Sequence, residues 1–163
     1  IEEAIREYKK ALQLNPKVGE AYLNLSHAYL NLGRFEEAID ASKRAIVLQP
    51  KLASAAYNNL GLAYFEQGLL DEAQEEFQRA ISLKLGNDAP YYNLGLIYDR
   101  KGDIDQAISN MERAIDYNPD YFLAWEALSR LYGKKGWKER SLEASKKHQK
   151  YLRQTNRSLS GLK

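Results

Sequence analysis

The sequence predicts an all-α protein: an array of antiparallel helix-turn-helix repeats comprising about nine helices. Three observations carry this. First, one phrase recurs as Tyr22, Leu25, Ser26, Tyr29 and Gly33, as Tyr57, Leu60, Gly61, Tyr64 and Gly68, from Tyr91 to Gly102, and from Trp125 to Gly136. The phrases begin 35, 34 and 34 residues apart, and a fixed period of that size is the signature of one supersecondary unit repeated along the chain. Second, within each phrase the three-and-four spacing places the large and small residues on one helical face. Third, a glycine closes each phrase, where a helix can end in a positive-φ turn.

The elements follow in order. Ala4, Tyr8, Ala11 and Leu12 carry a second-helix pattern, so the chain opens inside a hairpin, as a half repeat over residues 1–18. Full repeats are expected over 19–53, 54–87, 88–121 and 122–154. In the first of them Phe35 to Leu48 forms the second helix, with Ala38, Ile39, Ala41, Ala45, Ile46 and Leu48 inward and Glu36, Glu37, Lys43 and Arg44 in water. The same pattern returns as Ala73, Phe77, Ala80 and Ile81, and as Ala107, Met111, Ala114 and Ile115. Asp103 with Gln106 reads as a capping box, and Asp88 as a cap for the next first helix. Pro16, Pro50 and Pro119 mark unit ends; at the third such end Leu85 replaces proline, and Gly86, Asn87 and Asp88 with Pro90 supply the break. The last unit replaces alanine with Ser141 and His148, and its second helix bears Lys138, Arg140, Lys146, Lys147, Lys150 and Arg153. That polarity suits a solvating cap, and residues 155–163 read as a frayed or disordered tail. At the other end, the stripe around Ile5, Tyr8 and Leu12 has no preceding partner and is expected to be partly exposed.

Composition narrows the function classes. There are no cysteines, which excludes disulfides and thiolate metal sites and suits a reducing, cytoplasmic compartment. No apolar run approaches the roughly 20 residues of a membrane span, and Ile1 opens on a charged helical pattern without a signal-peptide layout, as at a cut boundary. The net charge of +2 hides an asymmetry. Residues 1–129 hold 13 basic and 20 acidic side chains, whereas the rest hold 11 and 2.

Taken together, the bulky aromatic, leucine, small residue and tyrosine of the first helix, the alanine, aromatic and alanine of the second and the exit proline resemble the tetratricopeptide repeat (TPR) family from Ile1 to about Gln154. The resemblance implies a right-handed superhelix, an α-solenoid whose first helices line a concave surface. It also implies that the positions skipped by the packing pattern face that groove: Leu23, Asn24, His27, Asn58, Asn59, Leu62, Tyr92, Asn93 and Leu96. Asn24, Asn59 and Asn93 are equivalent, and an amide that both donates and accepts can bond a peptide backbone whatever its side chains. This resembles the asparagine ladder of peptide-binding members; Ala127 interrupts it in the last unit. Leu23, Leu62, Phe65, Tyr92, Leu96 and Leu123 would supply apolar pockets, while Tyr22, Tyr57, Tyr91 and Trp125 belong to packing. Arg130 and Lys134 would attract an acidic stretch of ligand. The family's clamp for a terminal carboxylate is missing: neither register, Leu23 and His27, Asn59, Ala89 and Asn93, or Asn58 and Leu62, Asn93, Leu123 and Ala127, keeps its cations.

The reading is therefore a non-catalytic scaffold or adaptor for a protein or peptide segment, with no cofactor, no metal and no catalytic residues. No phosphate loop, paired-histidine motif or nucleophile elbow is present, and His27 lacks a second ligand one turn away. An alternative is an assembly scaffold, a homo-oligomer formed through repeat ends or by insertion of a terminal helix. A nucleic-acid partner would require a basic stripe along the array rather than a cluster at one end. A membrane surface would have only the thin face of Trp137, Leu142 and Tyr151 to hold.

Overall fold

The computed structural model describes residues 1–83 and 88–160, the side chains of 155–160 excepted. Among the described residues the chain forms α1 (Glu2–Leu14), α2 (Gly19–Asn31), α3 (Phe35–Leu48), a 3-10 turn (Pro50–Leu52), α4 (Ala53–Glu66), α5 (Leu70–Leu83), α6 (Asp88–Lys101), α7 (Ile104–Tyr117), α8 (Phe122–Lys134) and α9 (Lys138–Ser160). It divides into two compact units, Ile1–Leu85 and Gly86–Lys163. In the first, α2 pairs with α3 and α4 with α5; α3 packs on α4, α2 on α4, and α1 on α2. In the second, α6 pairs with α7, α8 with α9, and α7 packs on α8. No described helix is long and apolar enough to cross a membrane.

Each hairpin turns by the same device. Gly33, Gly68, Gly102 and Gly136 adopt φ between +70° and +82°, and among the described residues no other residue type has positive φ. In the first turn the Gly33 N–H donates to the Leu30 carbonyl at 3.0 Å and the Arg34 N–H to the Tyr29 carbonyl at 2.9 Å. That pair of bonds is a Schellman motif, which satisfies carbonyls the helix end leaves open. The last tyrosine of each phrase thus contributes its backbone to the turn as well as its ring to packing.

The centre of each hairpin is a matched pair. Gly61 lies against Phe77 so closely that an added Cβ would come within 2.5 Å of the ring, and Gly95 lies against Met111 with 2.8 Å for the same test. In the α2–α3 hairpin the equivalent positions are Ser26 and Ser42, both fully buried, with their hydroxyls 2.6 Å apart. Around these pairs Ala38, Ala45, Ala73, Ala80, Ala107 and Ala114 are all 0% exposed, so the helices approach to backbone contact. Each opening aromatic lies beneath a cation 22 residues later: Tyr22 under Arg44, Tyr57 under Arg79, Tyr91 under Arg113 and Trp125 under Lys147, at 5.7–5.8 Å. Both tryptophans belong to the last hairpin, Trp125 on α8 and Trp137 where α9 begins.

Several sequence expectations meet the structure here. Asp103 Oδ1 accepts the Gln106 N–H at 3.1 Å, as a cap should, and Asp88 opens α6 with its carboxylate on the Ala89 N–H at 3.0 Å. In α1, Ala4 and Ala11 are exposed while Ile5 is buried; among the described helices α1 packs on α2 alone. Phe65, expected at the ligand face, is 6% exposed and belongs to the core. The backbone of 155–160 continues α9, and no glycine or proline interrupts Lys138–Ser160. The expected break at Leu85, Gly86 and Asn87 lies outside the described residues.

Candidate functional site

The first helices carry the candidate residues, and the structure places them differently in the two units. In the first unit, α2 presents Asn24 and His27 to solvent with Leu23 half-buried beside them, and α4 presents Asn58 and Leu62 half-buried. Asn59, the sequence equivalent of Asn24, is only 8% exposed.

In the second unit a cavity of about 440 Å³ is lined by Tyr92 and Leu96 of α6, Leu123, Glu126, Ala127, Ser129 and Arg130 of α8, and Ser145 and His148 of α9. It brings together four of the predicted residues or their neighbours in pattern: Tyr92, Leu96, Leu123 and Arg130. Tyr92 is held by Tyr121, with ring centroids 4.9 Å apart, and burial raises its hydroxyl pKa. Asn93, at the ladder position of α6, is 7% exposed and already engaged within the protein. The three ladder asparagines are therefore unequal: one open, two enclosed.

Arg130 and Lys134 do not stand ready for an acidic ligand. They converge on Asp99, with N···O distances of 2.6 and 2.8 Å, and the Asp99 side chain is 12% exposed. Burial alone would raise the Asp99 carboxyl; the hydrogen bonds from Lys134 and Arg130 outweigh it and hold the group below its ordinary value. Sequence reasoning missed Asp99, 31 residues before Arg130, because nothing along one helix signals a partner on the next first helix. It also missed His148, whose Nδ1 lies 3.0 Å from the Phe122 carbonyl. A carbonyl only accepts, so that nitrogen carries the proton.

Known proteins share this architecture. Models of the tetratricopeptide repeat match residues 52–120 and residues 1–60. The small glutamine-rich tetratricopeptide repeat-containing protein 2 of Mycosarcoma maydis is 38% identical over 47 residues, which are 29% of this chain and 13% of that protein. The chain thus spans a small part of that relative's length. Among solved structures, MamA is 32% identical with a TM-score of 0.76, over 94% of this chain and 89% of MamA. YrrB, described as a TPR protein with an unusual peptide-binding site, is 20% identical with a TM-score of 0.72, over 88% of this chain and 74% of YrrB.

Proposed function

The chain belongs to the tetratricopeptide repeat family, and from that premise we propose that it receives a peptide segment of a partner protein on the exposed faces of its first helices. As a class these repeats are non-catalytic scaffolds for protein interaction. The observation that carries the finer reading is the cavity in which Tyr92, Leu96 and Leu123 face Glu126, Arg130 and His148, which suits one side chain of an extended or helical segment with its apolar part against the leucines. Within the first unit Asn24 and Asn59 act on a peptide backbone, with Leu23, His27, Asn58 and Leu62 as their neighbours; within the second, Asn93 lies on the helix that carries Tyr92 and Leu96. The peptide-binding description of YrrB supports the ligand class.

Selection of a random peptide phage library on the folded chain, followed by fluorescence anisotropy of the recovered peptides, tests this. Leu96→Arg should weaken binding by about tenfold or more, since a charge would be buried against an apolar ligand group. Asn59→Ala should weaken it by about fivefold through one lost backbone contact. Peptides that bind both variants as they bind the parent would overturn the reading.

The exposure of Ala4 and Ala11 favours a second reading, self-association through the repeat end formed by α1. Sedimentation of the parent against Ala11→Arg separates the two: a monomeric parent removes this reading and leaves the first intact.

A further inference from the structure

Successive second helices leave a crevice between them, floored by the first helix, and its occupancy differs between two hairpins of the same unit. In the α4–α5 hairpin the position after Glu75 is Glu76, whose side chain is 12% exposed and pairs with Arg79 at 3.1 Å. Lys43 of the preceding second helix adds a favourable field, while burial pushes the Glu76 carboxyl above its ordinary value. Glu76 is thus a half-buried carboxylate paired with Arg79, the arginine that covers the Tyr57 ring, and within the field of Lys43.

One repeat earlier, the residues equivalent to Lys43, Glu76 and Arg79 are Lys9, Ala41 and Arg44. Both cations are present: Lys9 lies over the Tyr29 ring at 5.8 Å and Arg44 over the Tyr22 ring at 5.8 Å. The carboxylate is not. Ala41 lines an open crevice of about 430 Å³ with a floor of Tyr22, Leu25 and Tyr29. Arg44 makes no ion pair among the described residues. Asp40, in the lining, is one methylene shorter than its equivalent Glu75, which does reach Arg79; Glu37, also in the lining, is held by Arg34 and lies within the field of Lys9.

We propose that this crevice between α1 and α3 binds a glutamate side chain presented by an acidic, leucine-bearing segment of a partner polypeptide, in the place that Glu76 takes in the next hairpin. The carboxylate lies between Lys9 and Arg44, and the apolar part of the segment covers the half-buried Leu12 and Tyr22 ring. The site is on the side of α2 opposite Asn24 and His27, by helical periodicity, so it is separate from the first-helix surface. The occupied version of the site in the same unit supplies the ligand class; size and charge supply the fit.

An end-blocked, fluorescein-labelled decapeptide alternating glutamate and leucine, and its glutamine–leucine counterpart, test the proposal by anisotropy on the full chain. The glutamate peptide should bind saturably and the glutamine peptide about tenfold more weakly, as befits a charge-assisted contact. Ala41→Glu, which reproduces the filled crevice, should abolish binding while circular dichroism stays unchanged. Arg44→Gln, at an exposed position, is the second variant should Ala41→Glu not fold, and should cost about fivefold. Equal affinity for the two peptides, no saturable binding by the parent, or a peptide lost with Leu96→Arg but retained by Ala41→Glu and Arg44→Gln would each overturn it.

Discussion

The α2–α3 and α4–α5 hairpins share a turn, an alanine-lined interface and a cation over the opening aromatic, and they part at two positions. Where one has Ser26 on Ser42, the other has Gly61 beneath Phe77; where one has Ala41, the other has Glu76. The first difference conserves packing, because volume lost on one helix is returned by the other. The second does not, and leaves an opening. Substitution within the interface is thus compensated pairwise, whereas substitution at the outer seam changes what the surface can bind.

The sharpest break in the comparison is at the second member of each pair. Phe77→Ala should destabilise the first unit by about 3–5 kcal/mol, since a fully buried aromatic leaves a cavity facing a residue without a side chain. Ser42→Ala should cost about 1–3 kcal/mol, chiefly by leaving the Ser26 hydroxyl buried without its partner. Urea unfolding followed by circular dichroism reads both, and similar losses would show that the pairs do not differ in kind. A smaller effect sharpens the same point. Gly61→Ala should cost about 1–3 kcal/mol from overpacking against the Phe77 ring, and pairing it with Phe77→Leu should cost less than the sum of the two single changes. Strict additivity in that cycle would mean that the backbone, rather than the ring, absorbs the added methyl.

The smallest effect contrasts the second unit, where Asp99 joins α6 to α8 through an ion cluster, with the first-unit hairpins just compared. Because the folded Asp99 carboxyl is held below its ordinary value, its contribution is complete above the unfolded value near pH 4 and is lost as pH falls through the folded one. Thermal melts from neutral to acid pH should therefore show a steeper loss in the parent than in Asp99→Asn. Parallel curves would remove Asp99 from the account.

Much of the fold was legible because the repeat states its packing rules four times. Tyr29, Gly33 and their equivalents mark the turns; Ala38 and Ala45 mark contact faces. The candidate surface was less legible, for a physical reason. Asn24, Asn59 and Asn93 occupy one register position, yet their exposure depends on the neighbouring helices, which the local pattern does not describe. Arg130 and Lys134 read as free cations until Asp99, a turn before Gly102, is brought against them by tertiary packing. Phe65 failed similarly: its spacing puts it near the skipped positions, but hairpin packing encloses it.

The placement of both tryptophans, Trp125 and Trp137, in the α8–α9 hairpin gives that hairpin a built-in optical label. In a chain whose hairpins are stabilised by their neighbours, one hairpin can melt before the others. Indole emission would then record the departure of α8 and α9 while the far-ultraviolet signal follows every helix. Divergence of the two transitions would time the unravelling of the array without any added dye.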